Sequence, residues 1–195
     1  PYEVNELMCV LEGSITIIDE HGDEETVCAG EAFVIPKGMT STWKQTEFVR
    51  KFYVIFDDPS GETPKDPASL RVQRLDPAAA MPLLGDLDES RYTGEMPTQH
   101  LHTAFTDVTG QMTAGIWDST AMHVKPYPFP RSELMHLLEG SVTITNGDGV
   151  TRTFSAGDTF LVPKDMTYQW DSEGYVKKIF CIFQEREAMA KASGD

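Results

Sequence analysis

Two glutamates and two lysines stand at matching places inside apolar runs, and this pairing is the chemistry the sequence offers first. Glu6 opens Glu-Leu-Met-Cys-Val-Leu-Glu-Gly-Ser and Glu133 opens Glu-Leu-Met-His-Leu-Leu-Glu-Gly-Ser, with Lys51 and Lys178 each 45 residues further on. A carboxylate can hold a metal, act as a general base or neutralise an ammonium. Side chains alternate along a strand, so one charge of Arg50-Lys51 and one of Lys177-Lys178 should face inward. An unpaired buried charge costs several kcal/mol, on the order of a broken buried pair. The expectation is that Lys51 faces Glu6 and Lys178 faces Glu133; the alternative is that the ammoniums snorkel to the rim.

The elements that must position these residues occur twice. An offset of 127 residues holds without a gap from Glu6–Phe56 to Glu133–Phe183, with roughly two positions in five identical. It superposes Ala29-Gly30 on Ala156-Gly157, Pro36-Lys37 on Pro163-Lys164 and Trp43 on Trp170. Such a repeat means that one unit was duplicated. Each copy reads as about seven short strands separated by turns, which indicates a sandwich or barrel. The interior Gly13 marks a bulge or sharp bend. Asp19 to Asp23 and Asn146 to Gly149 read as hairpin turns.

Residues 59–103 differ, being rich in Pro, Gly and Asp. They read as a linker that packs on the barrels, with an edge strand over 70–75 and a short helical turn over 78–84. The units expected are 1–58 and 104–184, followed by a tail, 185–195, forming a short C-terminal helix. The second copy has a strand-like stretch over 105–124 that the first lacks. The sequence is therefore expected to be a fragment, with about 25 or more residues upstream supplying the missing strands.

A formal charge of −15 argues against nucleic acid or an anionic membrane as partner. No apolar run of about 18 residues is present to cross a membrane. Cys9, Cys28 and Cys181 have no paired spacing and read as free thiols of a reducing compartment, hence a cytoplasmic protein.

The motifs resemble those of the cupin superfamily, in particular the two-domain cupins grouped with ureidoglycine aminohydrolase and the ethanolamine-utilisation cupin. Glu6 to Gly13 and Glu133 to Gly140 match the end of the first cupin motif. Gly30 to Pro36-Lys37-Gly38 matches the second; Gly157 to Pro163-Lys164-Asp165 matches it except for the last Gly. The resemblance implies an all-β fold of tandem double-stranded β-helix, or jelly-roll, barrels. It also implies a divalent metal held by two His and the Glu of the first motif and a His of the second. Those His slots fall on Tyr127 and Phe129 in the second copy, on Tyr2 in the first, and on Ser41 and Tyr168 in the second motifs. One carboxylate with hydroxyls makes a poor transition-metal site, so no metal cofactor is expected. If one binds, the place is Glu133 with His123, read as pointing into the second barrel. His136 falls on the face opposite Glu133, and His100-Leu101-His102 lies outside the motifs.

Parity places Trp43 with Ser41, and Trp170 with Tyr168, inside their barrels, while Met8 and Met135 share the face of the glutamates. The candidate ligand pocket comprises Glu133, Lys178, Tyr168, Trp170, Met135, Tyr127 and His123 in the second copy, and Glu6, Lys51, Ser41 and Trp43 in the first. Aromatic and apolar walls around a few polar groups suit a small molecule. The main reading is a cupin that binds a small polar metabolite in the second barrel without a metal. The alternatives are an enzyme like ureidoglycine aminohydrolase acting on a small nitrogenous or carbonyl compound, and an oligomer-forming module with filled barrels. A homodimer is expected.

Overall fold

The computed structural model describes residues 1–45 and 47–186, whose regular elements are sixteen β-strands and two short 3-10 helices. Of the tail expected to form a C-terminal helix, 185–195, all but Glu185 and Arg186 lies outside the described residues. The chain forms two compact units, Pro1–Asp76 with Ala104–Ala114 and Pro77–Thr103 with Gly115 onward. The stretch expected as one linker is thus divided at Asp76.

The first unit contains β1 (Asn5–Glu12), β2 (Ser14–Asp19), β3 (Glu24–Cys28), β4 (Ala32–Ile35), β5 (Ser41–Lys44), β6 (Arg50–Phe56) and β7 (Gln73–Leu75). They form two sheets, ordered β6-β1-β4-β7 and β3-β2-β5. The edge strand expected over 70–75 is the shorter β7, Gln73–Leu75. Between the sheets lie Met8, Val10, Ile15, Ile17, Val27, Phe33, Ile35 and Met39, all at most 1% exposed. Burying a side chain of this size contributes about 1.5–3 kcal/mol before entropy is counted.

The second unit is built on β8 (Gln99–Thr106) as far as Thr103, β9 (Met112–Ser119) from Gly115, β10 (Met122–Pro128), β11 (Ser132–Glu139), β12 (Ser141–Asn146), β13 (Thr151–Ser155), β14 (Thr159–Val162), β15 (Thr167–Ser172) and β16 (Val176–Phe183); the ends of β8 and β9 that fall within Ala104–Ala114 belong to the first unit. Its sheets are ordered β14-β11-β16-β9-β8 and β10-β15-β12-β13. Strands β11 to β16 repeat β1 to β6 pair for pair, so the fold is all-β, a jelly-roll barrel made twice. No helical turn forms over 78–84; Leu83 instead bridges to His100. The 3-10 helices are Pro67–Ser69 and Glu89–Arg91, each capped by an aspartate, Asp66 and Asp88. His100 and His102 lie on β8 rather than in a linker.

The glycine read as a bulge signal has a steric cause in both copies. The register slips between Val10 and Glu12 and between Leu137 and Glu139, one extra residue in each strand. The next residues, Gly13 and Gly140, have φ of +80° and +77°. A Cβ on Gly140 would lie 2.1 Å from the Tyr175 carbonyl oxygen, and one on Gly13 2.3 Å from that of Phe48. Gly140→Ala is expected to cost more than about 2 kcal/mol, since left-handed backbone and a clash add; urea denaturation measures it. The second-motif turn is more tolerant. Asp165 holds φ +65° where Gly38 holds +93°, a conformation that Asp can adopt through local hydrogen bonding.

Candidate functional site

Alternation and register decide what faces the interior of the second barrel. Along β11, Glu133, Met135 and Leu137 point inward and lie opposite Ile182, Phe180 and Lys178 of β16. Lys178 is thus four residues along the strand from Glu133, about 13 Å at strand rise, and the two side chains meet by reaching toward each other. Lys178 Nζ donates to Glu133 Oε1 at 2.7 Å and lies 3.3 Å from Met135 Sδ. Their side chains are 8% and 3% exposed. The rings of Trp117 and Trp170 face the ammonium at 4.6 and 5.2 Å and pack edge to face on each other, a cation–π arrangement. Burial pushes Lys178 below its ordinary pKa, while the charge and hydrogen bond of Glu133 oppose that shift.

Tyr127, Phe129 and Tyr168 cluster on the same side, with Phe129 and Tyr168 centroids 4.9 Å apart. Tyr168 is fully buried and its phenol is pushed well above the usual range by desolvation; Tyr127, half-buried, is raised for the same reason. Trp117 Nε1 donates to Gln99 Oε1 at 3.2 Å, and Trp170 Nε1 to Ser172 Oγ at 3.0 Å. Both buried indoles therefore have acceptors.

Nothing in the sequence singles out Arg131. Its Nε donates to Glu133 Oε2 at 3.3 Å, its guanidinium lies 5.7 Å from the Phe129 ring, and the side chain is 39% exposed. The repeat gives no signal for it, because Val4 holds that place in the first copy. Arg91, at the end of the second 3-10 helix, lies over Tyr127 at 4.9 Å. That segment is tied down by Tyr92 bridging to Val124 and by Lys125 Nζ donating to Ser90 O at 2.7 Å.

The first copy repeats the ion pair in a more open setting. Lys51 Nζ donates to Glu6 Oε1 at 2.8 Å and lies 2.9 Å from Met8 Sδ, but Lys51 is 25% exposed. The second oxygen of Glu6 accepts from Tyr2 OH at 2.8 Å. Tyr2 stands where the second copy has Phe129, so the two barrels complete the same carboxylate with a phenol in one and a guanidinium in the other. Burial, aided by Glu6, raises the Tyr2 pKa. Ser41 is half-buried. Trp43 lies 5.2 Å from Lys51 yet is 38% exposed. In the second copy β9 carries Trp117 against the matching Trp170, and among the described residues no strand of the first copy corresponds to β9.

His123 is corrected by register. It lies opposite Asp171, and Val124 lies opposite the inward Trp170. His123 therefore faces away from the barrel, with Nδ1 3.2 Å from Asp171 Oδ1, and cannot join Glu133 on a metal. His136 also points outward, to Thr159 Oγ1 at 2.8 Å. The divalent metal of typical cupins does not fit the residues present. An ammonium stands beside the carboxylate, aromatic side chains occupy the His slots, and among the described residues no three His, Cys, Asp or Glu side chains cluster.

Cys181, on β16, gives the unit an alkaline limit. Burial and the charge of Glu133 push its thiol from 9.0 up to about 12. A group raised in the folded state stabilises fully below its unfolded pKa, and that contribution is lost as pH rises through the folded value. Stability is expected to fall from about pH 9, and Cys181→Ala should flatten that fall; urea midpoints across the range measure both.

A family model described as the EutQ-like cupin domain matches residues 1–53 and 106–180, more than half of the chain. A protein of unknown function from Pseudomonas syringae pv. tomato, of the DUF861 family, is similar in structure at TM-score 0.83 and 26% identity, covering 93% of this chain and 74% of that one. A cupin 2 conserved barrel domain protein from Leptotrichia buccalis is similar at TM-score 0.60 and 12% identity, covering 94% and 75%. Ylba from E. coli, of the DUF861 family, is similar at TM-score 0.57 and 11% identity, covering 95% and 69%. The last two likenesses show the fold. No curated protein matches the chain.

Proposed function

We propose, for a chain that belongs to the EutQ-like cupin family, that the second barrel binds a small polar metabolite without a transition metal. The observation that carries this reading is the Lys178 ammonium 2.7 Å from Glu133, which gives the carboxylate a counter-ion from the chain itself. The depth of the barrel is closed by Trp170, Tyr168 and Phe129 at 1%, 4% and 3% exposure. The ligand's place is therefore the mouth, where Arg131 and Tyr127 remain accessible beside Arg91. Arg131 uses only Nε within the described residues, so its two terminal nitrogens form a fork for a planar polar group.

An activity like that of ureidoglycine aminohydrolase is the weaker reading. Without the metal, Glu133 would have to take the proton, and both its oxygens are already engaged, by Lys178 and by Arg131. Native mass spectrometry of protein purified without denaturation is expected to show a retained small organic molecule. Arg131→Ala should abolish retention while costing about 1 kcal/mol of stability or less, as for a half-exposed ion pair. A stoichiometric transition metal by elemental analysis would overturn the reading. So would an empty wild-type protein whose melting temperature no small polar metabolite raises.

A further inference from the structure

We infer that the first unit carries a second small-molecule site, outside its barrel, that takes a small carboxylate through the side-chain amide of Asn5 and the guanidinium of Arg71. A cavity of about 460 Å³ opens between the start of β1, the Pro36-Lys37 turn, the 62–73 segment and Ala104–Val108, all within that unit. That volume lies in the range of small-molecule pockets, about 300–1,000 Å³. Pro36, Pro64 and Phe105 give it an apolar wall; Asn5, Arg71 and Gln73 give it polar groups.

Asn5 is the telling residue. It is 4% exposed, and its Oδ1 accepts from the Lys37 backbone N–H at 2.9 Å. The second copy makes the same clamp with a plain hydroxyl, Ser132 Oγ accepting from Lys164 N–H at 3.2 Å. The fold therefore needs only an acceptor at this place, and the NH2 group of Asn5 is surplus to the clamp. Among the described residues Nδ2 has no hydrogen-bond partner. No fully buried side-chain nitrogen or oxygen among those residues lacks one, so Nδ2 reaches free space. The cavity that Asn5 lines is that space. A donor held this rigidly at the cavity wall is pre-placed for an acceptor, which spares a ligand part of the ordering cost of binding.

The charges name the acceptor. Arg71 is exposed and lines this cavity as well as a neighbouring one edged by Asp19, Asp23, Glu24 and Glu25, and its guanidinium has no hydrogen-bond partner among the described residues. The carboxylates of Asp66 and Asp107 are committed to backbone N–H groups, Asp66 to Ala68 and Asp107 to Thr109 and Met112. Lys37 Nζ is committed to Asp58 O at 2.9 Å. Glu62, a further carboxylate on the wall, has an interaction of its own, and Gln73 Nε2 donates to Arg71 O at 3.1 Å. The nitrogen groups of the wall left without a partner among the described residues are thus the Asn5 amide and the Arg71 guanidinium, which together suit a carboxylate with a short apolar body against Pro64 and Phe105.

The site is separate from the barrel and stands or falls independently of it. Three probes of nearly equal size, propionate, propionamide and propylammonium, are titrated into 15N-labelled protein. Propionate is expected to shift the Asn5 side-chain NH2 and the Lys37 amide and to saturate with a Kd on the order of millimolar, about what so small a ligand reaches. Propionamide should bind about tenfold more weakly, and propylammonium should leave both signals in place. Asn5→Ser keeps an acceptor for the Lys37 amide, as Ser132 does, so the fold and its melting temperature should hold while propionate binding drops at least about fivefold. Arg71→Ala, at an exposed position, should do the same. Propionate bound equally well by Asn5→Ser, a preference for propylammonium, or no shift with any probe up to about 100 mM would each overturn the proposal.

Discussion

Lys178→Met is expected to lower the unfolding free energy of the second unit by about 3–5 kcal/mol, the cost of leaving one partner of a buried pair behind. Glu133 is 2% exposed, so its charge has little water to turn to, and Arg131 at 3.3 Å is a partial substitute. The double variant Glu133→Leu, Lys178→Met should recover most of the loss, because two apolar side chains remove the charges together. The paired substitution in the first copy discriminates the cause. Lys51→Met should cost about 1–2 kcal/mol, since Lys51 is 25% exposed and Tyr2 still donates to Glu6. Urea denaturation followed by tryptophan fluorescence reads both, Trp117 and Trp170 reporting on the second unit and Trp43 on the first. Equal losses in the two copies would mean that burial is not what sets the cost.

Trp170→Ala should be as damaging, at about 3–5 kcal/mol, and Trp43→Ala should cost about 1 kcal/mol or less. The two tryptophans hold the same motif position and the same relation to a lysine, 5.2 Å from ring to ammonium in each case. They differ in what lies on their other side. Trp170 is 1% exposed and meets Trp117 edge to face, whereas Trp43 is 38% exposed. Removing Trp170 leaves a large void and deprives Lys178 of one of its two aromatic faces. A loss below about 1 kcal/mol for Trp170→Ala, by the same denaturation measurement, would show a barrel able to collapse onto the gap.

The repeat made the strands legible, because each copy checks the other: an apolar alternation that appears twice in register is hard to misread. It also made the ion pairs legible, since alternation turns one of two adjacent charges inward and the copies share Lys at 51 and 178 and Glu at 6 and 133. Arg131 escaped because its first-copy counterpart is Val4, and a repeat is silent where its copies differ. His123 misled for another reason. It sits between two buried residues, Met122 and Val124, in a strand whose register shifts between Val124 and Tyr127. Counting parity back from Tyr127 across an irregular step reverses the face. Asn5 escaped because its surplus donor is visible only once the acceptor it mirrors, Ser132, is seen making the same bond.

Strand β16 reads Val-Lys-Lys-Ile-Phe-Cys-Ile-Phe, and Ile179, Phe180 and Cys181 are all buried, on both faces. Sliding it by one residue would trade one apolar set for another and would bring Lys177 to Glu133 in place of Lys178. The two alignments differ less in burial than they would in a strand with one solvated face, although the slipped one takes Val176 and Phe180 out of the barrel core. What distinguishes them further is Gly140, whose missing side chain lets the carbonyl of Tyr175 lie against the bulge. The glycine that seemed part of a ligand motif is the registration mark of the sheet. A strand that folded one step out would meet its clash there.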